Sequence, residues 1–399
     1  MRLGTETIDI PAGDARYLKE DEYVLPVPVR VLGVYPHAHY VGREISLSAA
    51  IPGSAPLTIL EIPDWDFNWQ DAYRLAEPLR LPAGTTLVGR FVYDNSARNP
   101  RNPHRPPQRV VYGPRSEDEM GEIWIQVVPD TPDDLETLAT DFARHNLLSK
   151  IEGWNHMLSI DPGEPTAHVG LGTVDAAGGR HADAIGHFRA ALESRPDYIV
   201  AHYNLGVSLE RTGRRDEARA EFELVARLDP AHAAAHNNLG ILAAEAGRTD
   251  EAGAHFEAAV AAEPGDPELL NNLGNARRQS GRLTGAAEAL TAALDLAPDY
   301  AAARLNLALV AWSRATDPDA RVRDATEAVR LAERAVRGAE RDYRLLDILA
   351  AAYAEAGRFD DAVAAATRAG AYADAAGADR AGIDGRRALY ADGAPYRAR

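Results

Sequence analysis

The feature that most constrains the fold of this chain is a 34-residue period that begins after Pro129. Four Leu-Gly pairs recur at this spacing, ending at Gly172, Gly206, Gly240 and Gly274. A second glycine series keeps the same step, at Gly179, Gly213, Gly247 and Gly281. A period of this length is typical of repeat architectures, in which each unit packs only against its neighbours.

Two further series complete the pattern. An Ala followed four residues later by Phe or Leu recurs at Ala184, Ala218, Ala252 and Ala286, and a proline recurs at Pro162, Pro196, Pro230, Pro264 and Pro298. The order L-G, A-x3-F and P resembles the tetratricopeptide repeat (TPR) family. The small residues let two antiparallel helices approach closely, the second glycine ends the first helix, and the proline stops the second.

The resemblance implies an all-α TPR superhelical solenoid of about six repeats over residues 165–376. Residues 131–164 are interpreted as a linker and a capping half-repeat, and residues 377–399 as a C-terminal tail. The family resemblance also implies a protein or peptide partner in the concave groove of the solenoid.

Polar residues within the repeats have two interpretations. The series Asn204, Asn238, Asn272 and Asn306 is either a peptide-clamping row or an ordinary feature of the repeat. His168, His202 and His236 share one position in successive repeats, about 10 Å apart, which is too far for a common ion and favours packing. His187 and His255 lie on second helices without a partner at ligand spacing.

Residues 1–130 have a different composition, rich in Pro, Gly, Val, Tyr and Trp, so the chain is predicted to be multidomain. Short alternating runs such as VRVLGVY and TTLVGRFVY are separated by turns such as Pro52-Gly53 and Tyr112-Gly113-Pro114. Short strands at this spacing predict an all-β sandwich, jelly-roll-like in type.

His37 and His39 form a His-x-His pair within PHAHYVGREIS. Alternate residues of a strand point to one face, so both imidazoles are able to reach one ion, although an exposed strand-end pair explains them equally well. Several segments of this region resemble the Met-containing copper domain of the copper type II, ascorbate-dependent monooxygenases. They are PHAHYVGREIS, the later segment SEDEMGEIWIQVV, and the runs DFNWQ, LPAGT and YDNS between them.

The resemblance implies one copper ion held by His37, His39 and Met120. The alternative for Met120 is that its side chain only fills space in the core. In that family this copper activates dioxygen for C–H hydroxylation, and a second copper, held by three histidines in a preceding domain, supplies the other electron. No three-histidine cluster precedes His37, so the second copper site is absent from this chain and a separate electron-donor copper domain is implied as a partner. The alternative is a non-catalytic TPR scaffold whose β domain is structural or only binds copper.

Composition excludes several other classes. The net charge of −17 repels phosphate backbones, so no nucleic-acid partner is expected. No apolar run is long enough for a membrane span, and the absence of Cys excludes disulfides and thiolate sites. The N-terminus shows no signal-peptide pattern and is read as the truncated start of a longer protein, while the family resemblance suggests a periplasmic or extracellular location. The adjacent acids Glu117, Asp118 and Glu119 are expected to be solvated on a loop.

Overall fold

The computed structural model describes residues 1–113 and 115–398. Pro114, in the predicted turn Tyr112-Gly113-Pro114, and Arg399, at the end of the predicted tail, lie outside the described residues. The chain divides into two compact units, residues 1–196 and the residues from Asp197 onward, and each is described by itself.

The N-terminal part of the first unit consists of antiparallel β-sheets. Its strands are β1 (Arg2–Gly4), β2 (Asp9–Ile10), β3 (Tyr17–Val24), β4 (Val29–Ala38), β5 (Gly42–Ala50), β6 (Leu57–Ile62), β7 (Tyr73–Leu81), β8 (Thr86–Tyr93), β9 (Val110–Val111) and β10 (Gly121–Pro129). Two four-stranded sheets have the orders β1-β10-β4-β7 and β3-β8-β5-β6, and β2 pairs with β9. The prediction of a β-rich N-terminal region is confirmed.

Alternation along the strands builds the core of this region. Val31 and Ile123 of the first sheet and Leu47 and Phe91 of the second are fully buried and belong to one hydrophobic cluster. Their strand neighbours point the other way, as the two-residue period of a strand requires. Both four-stranded sheets therefore contribute their apolar faces to a single core.

Helix α1 (Pro132–Ile160) begins three positions after the end of β10 and covers most of the residues interpreted as a linker and half-repeat. Thr131 caps its first turn by accepting a hydrogen bond from the Asp134 amide, and a proline occupies its first turn. The Tyr23 hydroxyl donates to Asp141 Oδ2 at 2.8 Å, and the Phe142 ring stacks edge-on against Tyr23. These contacts fasten α1 to the second β-sheet.

The rest of the chain is helical, which confirms the predicted all-α solenoid-like region. The first unit ends with α2 (Pro165–Ala177) and α3 (His181–Ser194). The second unit contains α4 (Ile199–Arg211), α5 (Arg215–Leu228), α6 (Ala233–Glu245), α7 (Thr249–Ala262), α8 (Pro267–Gln279), α9 (Leu283–Leu296), α10 (Ala301–Thr316), α11 (Ala325–Val336), α12 (Tyr343–Glu355), α13 (Phe359–Ala375) and α14 (Ala381–Ala391). Within the described residues no helix is both long and apolar enough to cross a membrane.

The repeat glycines act as the sequence predicts. Gly213 and Gly247 follow first helices with φ of +79° and +73°, a left-handed conformation that ends a helix. Gly240 has a different role, because a Cβ atom there would lie 2.6 Å from the Phe256 ring. The glycine of this Leu-Gly pair therefore allows the two helices of the repeat to pack closely, with the Phe256 ring against the glycine backbone.

The residues predicted to form a C-terminal tail are largely structured. Arg386 of α14 forms a bidentate ion pair with Asp347 of α12, with Nε 3.0 Å from Oδ1 and Nη2 2.5 Å from Oδ2. Tyr390 is fully buried, and the Ala398 amide donates to the Thr316 carbonyl at 2.9 Å. The segment thus packs against the helices that precede it.

Candidate metal centre

Strands β4 and β10 bring the predicted ligands to one place. His37 lies near the end of β4 and His39 just beyond it, and their rings are perpendicular with centroids 5.1 Å apart. In the antiparallel register Gly121 pairs with Ala38, so Met120 adjoins the residues of the His-x-His pair. All three predicted ligands line one open depression of about 580 Å³, together with Tyr35, Phe67, Asn68, Gln70 and Ser116.

Hydrogen bonds assign the ring nitrogens of both histidines. The Gln70 amide nitrogen donates to the Phe67 carbonyl at 2.9 Å, which turns the Gln70 oxygen toward His37 Nδ1, 2.5 Å away. His37 Nδ1 is therefore the protonated nitrogen. His39 Nδ1 lies 3.1 Å from the Asp118 carbonyl and donates to it. In both rings Nε2 is left as the nitrogen with a lone pair, the form in which imidazole binds metals.

The electrostatics of His39 favour the neutral ring. Its side chain is buried, and burial lowers its pKa. The neighbouring His37 lowers the pKa further, against the opposing effect of the Asp118 and Arg115 carbonyl groups. A neutral imidazole needs no deprotonation before it can bind a cation.

Glu119 holds the strand ends together, and the expectation that the acids of this loop are all solvated is wrong for it. Its side chain is fully buried. Its carboxyl group accepts hydrogen bonds from the backbone amides of His39, of Met120 at 2.9 Å and of Val41 at 3.1 Å. Burial raises the pKa of Glu119 to about 8, although these amides act to lower it. Sequence reasoning missed this residue because nothing in a run of adjacent acids shows which one turns inward.

The residues brought together here form a candidate donor set of two imidazoles and one thioether. Across residues 1–113 and 115–398, no group of three or more His, Asp or Glu side chains is arranged to hold a metal ion. Met120, whose thioether is a soft donor, lines the same depression as His37 and His39. Two imidazoles and one thioether suit Cu(I) better than Zn(II), so these residues fit the ion that the family resemblance implies.

The asparagine series of the repeats forms contacts within the protein. Asn272 donates to the Asn237 side chain at 3.0 Å, and Asn306 donates to the Asn271 side chain at 2.9 Å. Each bond joins the first helices of two neighbouring repeats, α6 to α8 and α8 to α10. At these two positions the geometry agrees with the structural interpretation of the series.

Family models match part of the helical region. A family model described as tetratricopeptide repeat matches residues 155–199 and 201–267, and a TPR repeat model matches residues 274–313. None of the curated proteins matches the chain significantly.

Several solved structures resemble the chain. YrrB, described as a TPR protein with an unusual peptide-binding site, is 17% identical, with 49% of this chain and 96% of that one covered and a TM-score of 0.43. A tetratricopeptide repeat protein from Parabacteroides merdae is 18% identical, with 58% and 88% covered and a TM-score of 0.41. MamA from Desulfovibrio magneticus RS-1 is 21% identical, with 44% and 94% covered and a TM-score of 0.38. The family models, which match residues 155–199, 201–267 and 274–313, show that these parts of the chain are tetratricopeptide repeats.

Proposed function

We propose that this chain is a TPR interaction scaffold that carries a copper-binding β domain at its N-terminal end. The repeats are the part of the proposal with the strongest support, because family models match them directly. Stacked helix pairs present long surfaces on which a protein or peptide segment binds. The β domain is proposed to be a jelly-roll-like sandwich, since both four-stranded sheets share one core.

The proposed copper ligands are His37 Nε2, His39 Nε2 and the Met120 sulfur. The observation that carries this proposal is the assignment of the ring nitrogens, in which the Gln70 side-chain oxygen and the Asp118 carbonyl each accept a hydrogen bond from an Nδ1–H group. Such outer hydrogen bonds orient metal-binding imidazoles and raise their basicity. Glu119 holds two of these residues in place, because its carboxyl group accepts hydrogen bonds from the backbone amides of His39 and Met120.

A second candidate function is C–H hydroxylation. The observation that favours it is the open depression at the two imidazoles, which leaves room for dioxygen and a substrate beside the proposed ion. Copper would supply a one-electron couple and a binding position for dioxygen. Insertion of one oxygen atom into a C–H bond, with the other released as water, consumes two electrons and two protons. The second electron would come from a separate electron-donor copper domain, with an ascorbate-type reductant restoring both.

The test is the affinity for Cu(I), measured by competition with a chromogenic chelator. Met120→Leu removes the sulfur but keeps an apolar side chain of similar volume. We expect wild type to bind one tight Cu(I), and Met120→Leu to weaken binding at least ~10-fold, which corresponds to ~1.4 kcal/mol. Met157→Leu is the matched control, because Met157 lines a separate cavity beside α1 and should leave the affinity unchanged.

Equal affinities for wild type and Met120→Leu would contradict the proposed ligand set. Oxygen consumption by the Cu(I)-loaded chain with ascorbate, a candidate substrate and an electron-donor copper domain then separates the two candidate functions. Copper-dependent product supports the enzyme, and tight copper binding without turnover supports the scaffold.

A further inference from the structure

Two pairs of histidines face each other inside the repeats, in contrast to the expectation that His187 and His255 lack a partner. His168 of α2 and His187 of α3 have their Nδ1 atoms 3.1 Å apart. His236 of α6 and His255 of α7 repeat this arrangement in the second unit, with the Nδ1 atoms 3.2 Å apart. The partner of each first-helix histidine is thus the residue 19 positions later, across the helix pair.

The Nε2 atoms of the first-helix histidines, His168 and His236, form hydrogen bonds to backbone carbonyl groups. His168 Nε2 lies 2.9 Å from the Pro162 carbonyl, and His236 Nε2 lies 3.1 Å from the Pro230 carbonyl. A carbonyl only accepts, so both Nε2 atoms carry the proton and both Nδ1 atoms present a lone pair toward the partner ring. An imidazole that donates to a carbonyl in this way is oriented as metal-binding histidines are.

Each second-helix histidine supplies the second nitrogen of its pair. His187 has the Asp175 carboxylate 3.7 Å from its Nε2, on the side away from His168. In the repeat between the two pairs, the corresponding residues are His202 and Glu221, whose side chains lie 2.6 Å apart. In that repeat the Glu221 carboxylate accepts a hydrogen bond from the His202 ring. In the two histidine pairs, by contrast, two Nδ1 atoms face each other with room for only one proton between them.

The spacing of the nitrogens matches that of two ligands on one ion. With metal–nitrogen bonds of about 2.05 Å, an N···N separation of 3.1–3.2 Å subtends an angle of about 100° at the metal, close to tetrahedral. All four histidines are half-buried, so an ion has access to them from solvent. We propose that each histidine pair, His168 with His187 and His236 with His255, binds a borderline divalent metal ion such as Zn²⁺ through Nδ1. Imidazole suits such ions, and water completes the coordination.

Zn²⁺ itself is the probe, titrated calorimetrically into the full chain at neutral pH in a buffer that does not bind metals. We expect His187→Gln and His255→Gln each to lower the number of ions bound per chain by one, and the double variant to lower it by two. His37 and His39 are present in every variant, so any Zn²⁺ that they bind adds the same number to each stoichiometry and does not affect the differences. His104→Gln, which changes a loop histidine of the β region, is the control and should leave the number unchanged.

A double variant that binds as many Zn²⁺ ions as wild type would overturn the proposal. A second measurement uses wild type only, in case the variants fold poorly. Diethyl pyrocarbonate labelling followed by mass spectrometry should show that Zn²⁺ protects His168, His187, His236 and His255, while His104 stays reactive. Labelling of the four that is unchanged by Zn²⁺ would equally refute the sites.

Discussion

The substitution Gly240→Ala tests whether the Leu-Gly pairs set the distance between the helices of a repeat. A Cβ atom at Gly240 would lie 2.6 Å from Phe256 Cε1 and 2.8 Å from Cδ1. Carbon atoms in good contact are ~3.5 Å apart, so the ring has to move by about 1 Å. Overpacking of this kind costs ~1–3 kcal/mol, and replacing a helical glycine by alanine returns ~1 kcal/mol. We therefore expect a net loss of about 1 kcal/mol in the free energy of unfolding.

The matched control is Gly186→Ala. Gly186 lies within α3, and a Cβ atom there meets nothing within 4 Å. This substitution changes only helix propensity and should stabilise the chain by up to ~1 kcal/mol. The two variants should thus differ by ~1–3 kcal/mol, which is the overpacking cost alone.

Urea denaturation followed by far-UV circular dichroism measures both variants against wild type. The double variant Gly240→Ala/Phe256→Leu should recover part of the loss relative to the sum of the single changes, because the smaller side chain vacates the clashing position. If Gly240→Ala and Gly186→Ala change the free energy of unfolding equally, the close-approach explanation of the Leu-Gly pair fails.

Three further predictions concern single contacts. Since burial raises the pKa of Glu119 to about 8, the folded chain retains a proton that the unfolded chain releases above pH 4.5. The free energy of unfolding should therefore fall as pH rises through this window, by at most ~1.4 kcal/mol per pH unit, and Glu119→Gln should flatten that part of a pH series of urea melts. Asn306→Ala removes the donor to Asn271 and should cost ~1 kcal/mol in the same assay, and a neutral result would mean that this bond is not structural. Tyr23→Phe breaks the bond to Asp141 and should cost ~1 kcal/mol and speed amide hydrogen exchange in α1; unchanged exchange would show that the bond does not anchor the helix.

The helical half of the fold was predictable from residues alone. First helices begin at residues 165, 199, 233, 267 and 301, in step with the 34-residue period. Glycines such as Gly213 end them at the predicted positions. Helix starts, helix ends and small-residue contacts depend on neighbours a few positions away, and such local determinants are written directly in the sequence.

The N-terminal region was predictable in part. Alternating runs located β4 and β8, and the His-x-His motif placed two imidazoles at one strand end. The pairing of β4 with β10 brought Met120 beside them, although more than 80 positions separate it from His37 in the chain. Strand order depends on the whole core, so only the resemblance to a known family pointed to Met120 in advance.

Side-chain partners across elements were decided by the tertiary structure. Glu119 turns inward because the ends of β4 and β10 leave three backbone amides without acceptors, and a buried amide has to be satisfied. His168 contacts His187 because antiparallel packing of α2 on α3 brings positions 19 residues apart together. The periodicity of a single helix does not predict a contact at that spacing. Periodicity along one element determined the helices and strands of this protein. The contacts that create its candidate metal sites arise only where two elements pack together.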